Sequence, residues 1–199
     1  MTKLQLSDNV NYMTPDSFQA VLKYVQDNLK IRRLENIDIQ MIFKIAYFAG
    51  LRINEVLDLK KDSFDLDLLQ IKLGQTKTKK HDIASFPEKF KDELQEYLST
   101  ERAVLPRNQL LFPVSRQSAY KWIMKIGQDL EISAWTTPQS ESGEKTKTHL
   151  FRKSIGKDMI KKGAPLNVIM NKLRHNNLAT TSEYLKLNLS DVQTWENEH

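Results

Sequence analysis

The chain has 199 residues, of which 40% are hydrophobic, 28% are charged and none is cysteine. This length and composition are those of one folded domain, and the lack of cysteine excludes disulfides, thiolate metal sites and cysteine nucleophiles. No apolar run approaches the roughly 18 residues that span a bilayer. Residues 1–10 lack a secretory signal pattern, so we expect a protein that stays in the cytoplasm, away from membranes.

The net charge of +5 is unevenly distributed along the chain. Between Lys145 and His175 there are nine lysines or arginines against one acid, Asp158, so this stretch carries +8 and the rest of the chain carries −3. A basic surface on a nearly neutral body suits a polyanion, because neutralising phosphates releases condensed counterions. On charge alone, a well-solvated helical face explains the stretch as well as a binding surface does.

We predict three helices in the first part of the chain, over residues 14–30, 36–49 and 51–59. Thr14 and Pro15 are typical of a helix start, as the N-cap hydroxyl and the first helical residue. Residues 1–13 are predicted to be a lead-in segment, of which the first ten residues are poorly ordered. The apolar residues predicted to be buried in the second helix are Ile37, Met41, Ile42, Ile45 and Phe48, with Gly50 ending that helix.

A small antiparallel sheet is predicted between Ser63 and Phe86, where short apolar runs replace the helical pattern around a polar turn at residues 74–80. Helices are expected to resume after Pro87 and again over residues 118–130. The predicted fold class is therefore mainly α with a small antiparallel β-sheet (α+β).

The last third of the chain is predicted to begin with a flexible loop at residues 133–147, rich in Thr, Ser, Gly and Lys. Helices are then expected over residues 148–162, 166–173 and 178–187, with Gly163-Ala164-Pro165 breaking the first from the second. Residues 188–199 are read as a C-terminal tail.

Six polar residues lie where this scaffold is predicted to expose them. In chain order they are Arg52, Lys77, His149, Arg152, His175 and Tyr184. Cleavage of a phosphodiester requires neutralisation of charge on the non-bridging oxygens, and a planar guanidinium does this with paired hydrogen bonds. His149 and Arg152 are three apart in a helix, so they share a face and can reach one phosphate.

Five segments in this order resemble the motifs of the tyrosine recombinases, the phage-integrase type of enzyme. Residues 49–59 (AGLRINEVLDL) resemble the first arginine box, and residues 76–80 (TKTKK) resemble the hairpin that carries a lysine. Residues 148–152 (THLFR) resemble the His-x-x-Arg box and residues 173–175 (LRH) the Leu-Gly-His box. Tyr184 follows His175 by nine residues, as the nucleophile does in the family.

The resemblance implies a catalytic domain over residues 14–187 and a role for each of the six residues. Arg52 and Arg152 would hold the phosphate, His149 would exchange a proton with the tyrosine, and His175 would donate to the phosphate. Lys77 would protonate the leaving 5′ oxygen, with Lys79 and Lys80 close enough to take that role instead. Tyr184 would be the nucleophile, activated by its cationic neighbours because a free tyrosine has a pKa of about 10.

Simpler interpretations exist for several of these residues. Arg52 can form an i,i+3 ion pair with Glu55, which can also orient it. His149 can be a surface histidine, and Tyr184 a core aromatic residue of a last helix. Arg174 stands where the family has a small residue, so it should alter the local packing or add a contact to DNA.

The implied reaction is a transesterification that needs no ATP and no cofactor. Four aspartates offer no convergent ligand set with histidines, so we also predict chemistry without a metal; they are Asp58, Asp62, Asp65 and Asp67. The resemblance further implies double-stranded DNA as the partner, a homotetramer on two DNA sites, exchange of residues 187–199 between subunits, and accessory DNA-bending or directionality proteins. An inert tail is an equal alternative for that last segment.

Two other classes of function stay open on sequence grounds. A type IB topoisomerase-like enzyme would use the same tyrosine chemistry but would religate the same strand. A DNA-binding regulator could keep the fold without the activity. Only about thirteen residues precede the first helix, so we expect either an excised catalytic domain or a short recombinase, as some DNA invertases are.

Overall fold

A computed structural model describes residues 12–28, 34–75, 81–100, 104–130 and 150–174 of the protein. Within these ranges it contains α-helices and one antiparallel sheet, as predicted. The helices are α1 (Pro15–Asn28), α2 (Asn36–Phe48), α3 (Ile53–Leu57), α4 (Lys91–Ser99), α5 (Arg116–Asp129), α6 (Leu150–Lys161) and α7 (Leu166–Leu173). The strands are β1 (Phe64–Asp65), β2 (Gln70–Gln75) and β3 (His81–Ser85).

Side-chain caps set the starts of two helices. The Thr14 hydroxyl accepts a hydrogen bond from the backbone N–H of Ser17 at 3.2 Å, which confirms the predicted N-cap of α1. The Ser115 hydroxyl accepts in the same way from Ser118 N–H, so α5 begins two residues before its predicted start. Helix α3 is shorter than the predicted 51–59 because Arg52, with extended backbone, is its N-cap.

The hydrophobic core is built around α2, with aromatic rings from α1 and α6 packed against it. Phe18 of α1 stacks on Tyr47 at a ring distance of 4.3 Å, and Phe43 stacks on Phe151 of α6 at 5.0 Å. Phe18 also meets Phe151 edge to face at 6.2 Å. The same aromatic cluster therefore fixes α6 against the centre of the molecule.

One residue predicted to be buried in α2 is not. Ile37 is 43% exposed, whereas Ile39 is fully buried. Asp38 beside them is also buried, and its carboxylate accepts hydrogen bonds from Tyr97 Oη at 2.7 Å and from Glu35 N–H at 2.9 Å. Because this polar group is satisfied inside the protein, the first turn of α2 presents Asp38 and Ile39 to the core instead of Ile37.

The three strands form an antiparallel sheet in the order β1-β2-β3. Ile71 of β2 pairs with Ala84 of β3, and both side chains are buried. Strand β2 continues to Gln75, so Gly74 lies in the strand and not in the predicted turn. The register shifts between Lys72 and Gln75, on the approach to the hairpin tip, whose residues 76–80 lie outside the described ranges.

Helices α6 and α7 are separated at Gly163-Ala164-Pro165, as predicted, and Gly163 has a positive φ of 74°. Ile169 and Leu173 of α7 are buried against an apolar face of α6. The predicted loop at 133–147, the predicted helix at 178–187 and the tail lie outside the described residues. Of the helices in the described part of the chain, none combines the length and apolar character needed to cross a bilayer.

Candidate active site

Gly50 lies in the turn between α2 and α3, and this turn packs against the end of α7. Its φ is +64°, a conformation that favours glycine. A Cβ at this position would lie 3.4 Å from Leu173 Cδ2 and 3.7 Å from the Lys172 carbonyl oxygen. We refer to residues 49–52 as the Gly50 corner, since the positive φ of that glycine shapes the turn.

Arg152 is held at the Gly50 corner from the other side, by α6. Its Nη1 donates to the Gly50 carbonyl oxygen at 2.9 Å. The residue is 0% exposed, so the prediction that it lies exposed is wrong. Burial follows from the position of Arg152 beside Phe151, whose ring packs on α2 and turns this part of α6 inward. Burying a guanidinium is costly unless it is hydrogen-bonded, and the Gly50 carbonyl supplies one such bond.

Arg52 lies two residues after Gly50 and remains accessible. Its side chain is 45% exposed, and Nη1 donates to Glu55 Oε1 at 2.8 Å. The other Glu55 oxygen accepts from the backbone N–H of Arg52 at 2.7 Å. The ion pair considered from sequence is therefore present. One carboxylate fixes both the backbone and the guanidinium of Arg52, while leaving exposed surface on that side chain for a second anion.

Glu55 also binds a second arginine, from the end of α7. Arg174 Nη2 donates to Glu55 Oε2 at 2.7 Å, and Arg174 Nε donates to Asp82 Oδ2 of β3 at 2.9 Å. Burial opposes ionisation of Glu55, yet the charges of Arg174 and Arg52 and the hydrogen bonds from Arg52 hold the pKa of its carboxyl below the usual range. We call Arg52, Glu55, Arg174 and Asp82 the ion-pair chain.

The ion-pair chain decides between the two expectations for Arg174. Its side chain is 8% exposed and points inward to two carboxylates, so in this structure it alters the local packing. The sequence marked Arg174 as unusual but gave no sign of its partners, because Asp82 and Glu55 lie 92 and 119 residues away in the chain.

Lys172 is a further cation at this place that sequence reasoning missed. Its Nζ donates to the Ser85 carbonyl oxygen of β3 at 2.6 Å. Burial, with a smaller contribution from the charge of Arg174, lowers the pKa of Lys172 to about 8. The end of α7 is thus tied to β3 at two points, Ser85 and Asp82.

The other four predicted site residues lie outside the described residues. They are Lys77, His149, His175 and Tyr184. The structure therefore places the Arg152 guanidinium on the Gly50 carbonyl, two residues before Arg52, and the remaining four stay predictions. In sequence, Lys77 lies between β2 and β3, His149 directly precedes α6, and His175 directly follows Arg174.

The basic stretch from Lys145 to His175 is not a simple solvated helical face. Among its described members, Arg152 and Lys157 are buried, and Arg174 is almost so. Lys161 Nζ lies 5.3 Å from the ring centroid of Tyr12, and Lys162 pairs with Asp158 at 2.6 Å. Part of this positive charge is therefore built into the protein, while Lys161 and Lys162 are exposed. Within the described ranges, no group of three or more His, Asp or Glu side chains is placed to hold a metal ion.

A helical domain with this small antiparallel sheet has the tyrosine recombinase catalytic-domain fold. The model of the phage integrase family matches residues 11–190, which is most of the chain. The chain therefore belongs to the phage integrase family, which confirms the family predicted from its sequence.

The similar proteins found are recombinases and integrases. Tyrosine recombinase XerA of Thermococcus kodakarensis is 26% identical over 160 residues, which are 77% of this chain and 52% of that protein. The chain thus spans about half the length of this relative.

Solved structures show the same fold. The XerA recombinase superposes with a TM-score of 0.69 at 20% identity, covering 94% of this chain and 64% of that one. The catalytic domain of bacteriophage HP1 integrase gives 0.61 at 16% identity, covering 92% and 91%. The XerH site-specific recombinase bound to difH substrate gives 0.66 at 21% identity, covering 94% and 54%.

Proposed function

We propose that this chain is the catalytic part of a site-specific DNA recombinase that cuts and rejoins DNA through a 3′-phosphotyrosine at Tyr184. The observation that carries the proposal is the hydrogen bond from Arg152 to the Gly50 corner, the segment that also carries Arg52. Arg152 Nη1 binds the Gly50 carbonyl at 2.9 Å, and Arg52 follows two residues later. Membership of the phage integrase family supports the same function. We assign the catalytic domain to residues 14–187, with a lead-in at 1–13 and a tail at 188–199.

In the first step of the proposed reaction, the Tyr184 hydroxyl oxygen attacks the phosphorus of one DNA strand. A bond forms between the tyrosine oxygen and phosphorus, and the bond from phosphorus to the 5′ oxygen breaks. The tyrosine proton passes to His149, and Lys77 protonates the leaving 5′ oxygen. Arg52, Arg152 and His175 stabilise the charge on the non-bridging oxygens.

In the second step, the 5′ hydroxyl of another duplex attacks the phosphotyrosine. A new DNA phosphodiester forms and Tyr184 is released. Each step breaks one phosphate ester and forms another of similar free energy, so the reaction needs no ATP. The proposed reaction also uses no metal and no cofactor.

The two arginines enter this reaction from different starting positions. Arg52 has exposed surface and is already oriented by Glu55. Arg152 has no exposed surface, so groups around it must move before a phosphate can contact its guanidinium. We propose that binding of DNA drives this movement and completes the site, as in other enzymes whose catalytic groups assemble on the substrate.

Double-stranded DNA is the proposed partner. The XerH neighbour is described as bound to its difH substrate, and the +8 charge of residues 145–175 suits phosphate. We further propose a homotetramer on two DNA sites, with residues 187–199 exchanged between subunits and accessory DNA-bending or directionality proteins acting on the assembly. The protein would then be associated with DNA in the cytoplasm.

Capture of the covalent intermediate tests this function. The chain is incubated with a pool of nicked suicide duplexes, in which the fragment carrying the 5′ hydroxyl diffuses away, and is then denatured. We expect a protein–DNA adduct from the wild type and none from Tyr184→Phe, with DNA affinity unchanged. Sequencing the trapped ends then identifies the recombination site.

Tyr120→Phe is the matched control, because Tyr120 is an exposed tyrosine on α5. It should form adduct as the wild type does. An adduct that persists in Tyr184→Phe, or the lack of any adduct from the wild type, overturns the proposal. Relaxation of plasmid DNA without recombinant products would replace it with the type IB topoisomerase activity.

A further inference from the structure

Arg174 has a backbone conformation that a side chain of its type seldom adopts. At the end of α7 it has φ 50° and ψ 45°, in the left-handed region. Leu69 is the other non-glycine residue with positive φ in the described part of the chain. Glycine usually occupies this position after a helix because it carries no Cβ. A residue with a Cβ persists there only when its surroundings hold it in place.

The surroundings of Arg174 are two carboxylates on two different elements. Its Nη2 donates to Oε2 of Glu55, on α3, at 2.7 Å. Its Nε donates to Oδ2 of Asp82, on β3, at 2.9 Å. The Arg174 side chain is 8% exposed, whereas those of Glu55 and Asp82 are 23% and 37% exposed. The nearly buried guanidinium depends on these two carboxylates for compensation of its charge, so the contacts fix its geometry.

The elements joined by Arg174 are those that carry proposed catalytic residues. Glu55 binds Arg52 through both of its oxygens. Asp82 lies on β3, the second strand of the hairpin in which Lys77 is found, and His175 is the next residue after Arg174 in sequence. One guanidinium therefore lies at the junction of three segments of the proposed site.

The charges of the ion-pair chain also balance. Arg52 and Arg174 are cations, while Glu55 and Asp82 are anions, so the four sum to zero. Without Arg174, Glu55 and Asp82 would outnumber Arg52, and the group would carry −1 near the place where a DNA phosphate must bind. Arg174 thus leaves the positive charge of Arg52 available to the phosphate.

Resting on the proposed function, we propose that Arg174 is a positioning residue of the DNA cleavage step. It holds Glu55, and through Glu55 the exposed guanidinium of Arg52, in the orientation that receives the phosphate. It also ties the β2–β3 hairpin to the end of α7. The residue in this role, Arg174, occupies the position where the family motif has a small residue.

The test compares cleavage with DNA binding in single-turnover experiments on a suicide duplex. Arg174→Ala should lower the rate of adduct formation at saturating DNA by about tenfold or more, while the Kd for DNA changes by less than about threefold. Arg174→Lys should recover part of the rate, because it keeps the charge but cannot bind two carboxylates with a planar fork. Lys125→Ala, which removes an exposed ion pair on α5, is the control and should leave the rate unchanged.

Arg174→Gly separates positioning from folding. Glycine relieves the left-handed strain, so this variant should fold at least as well as Arg174→Ala, yet it should show the same loss of rate. In the Glu55→Gln background, Arg174→Ala should cost much less than in the wild type, since both act through Arg52. NMR titration of Arg174→Ala should show the Glu55 pKa rising, which needs no catalytic activity.

The outcomes distinguish the two proposals. If the wild type forms no adduct, the proposed function fails. If the wild type forms a Tyr184-dependent adduct and Arg174→Gly and Arg174→Ala form it at the wild-type rate, Arg174 has no positioning role and the proposed function stands. If Arg174→Ala lowers the rate of adduct formation by the same factor in the Glu55→Gln background as in the wild type, the positioning role is also overturned.

Discussion

The two sides of the Gly50 corner hold the same functional group in opposite environments. On the α3 side, Arg52 is half exposed and is oriented by the Glu55 carboxylate. On the α6 side, Arg152 is fully buried and donates to the Gly50 carbonyl. One guanidinium is held by a charge at the surface, and the other is held by the backbone inside the core.

This difference indicates separate roles for the two arginines, although the sequence motifs treat them alike. An exposed, oriented arginine can meet a phosphate first and contributes little to folding, because surface ion pairs are worth about 0–1 kcal/mol. A buried arginine is part of the packing, so its removal affects folding as well as chemistry. We therefore expect substitutions on the two sides to separate stability from cleavage.

Replacement of Arg152 should have the largest effect. Arg152→Ala should lower the free energy of unfolding by about 3 kcal/mol, since it leaves a cavity in the core. It should also abolish detectable adduct. Arg152→Met fills most of the volume, so it should fold with a smaller loss of stability and still cleave about 100-fold more slowly or worse. Urea unfolding and adduct yield measure both, and near-wild-type cleavage by Arg152→Met would refute the phosphate contact.

Replacement of Arg52 should affect cleavage while sparing the fold. Arg52→Ala removes one of the proposed phosphate contacts, so we expect the rate of adduct formation to fall about 100-fold. The free energy of unfolding should change by less than about 1 kcal/mol, because the ion pair to Glu55 is partly exposed. If urea unfolding shows Arg52→Ala to be as unstable as Arg152→Ala, the contrast between the two sides of the corner is wrong.

Gly50 connects the two sides, and three glycines allow its role to be dissected. Gly50→Ala combines a positive φ with a close contact to Leu173, so it should cost about 1–3 kcal/mol in unfolding free energy and also slow cleavage. Gly163→Ala has the positive φ without a nearby atom, and Gly74→Ala has neither. Thermal unfolding should therefore rank the losses Gly50, then Gly163, then Gly74. Equal losses for Gly50 and Gly163 would show that contact with α7 is unimportant.

Lys172 should have the smallest effect, which is a dependence of the free energy of unfolding on pH. Burial lowers its pKa in the folded protein to about 8, against an ordinary value of 10.5. The folded state then binds fewer protons than the unfolded state between these two values, so the free energy of unfolding should rise as the pH increases from about 8 towards 10. The rise should be on the order of 1 kcal/mol and should be absent in Lys172→Met. A wild-type profile parallel to that of Lys172→Met would contradict the lowered pKa of this amine.

Sequence patterns predicted those parts of the fold that depend on local signals. Thr14 and Pro15 gave the start of α1, the Gly163-Ala164-Pro165 break gave the end of α6, and α7 has the bounds predicted for it. Each of these signals acts through neighbouring residues, whose effect on the backbone is the same in any fold. Ile37 was wrongly predicted to be buried because Asp38, a polar residue, is satisfied by the distant Tyr97.

The sequence predicted which residues belong to the candidate site, but not the burial or the bonding partners of their side chains. The motif identified Arg52 and Arg152 as a pair, but burial of Arg152 depends on a contact with Gly50 that spans 102 residues of sequence. The partners of Arg174 are equally distant, and nothing local in the segment LRH points to Glu55 or Asp82. Long-range electrostatic contacts of this kind follow from the packing of α3, β3 and α7, which no single sequence pattern describes.

The most direct test of the central claim is to find which residue becomes bonded to DNA. Adduct formed by the wild-type chain on a suicide duplex would be trimmed with nuclease, digested with trypsin and analysed by mass spectrometry. We expect the remaining nucleotide on the peptide of residues 175–186, attached through its phosphate to Tyr184. A nucleotide attached to any other residue would contradict the proposed assignment of Tyr184 as the nucleophile of this chain.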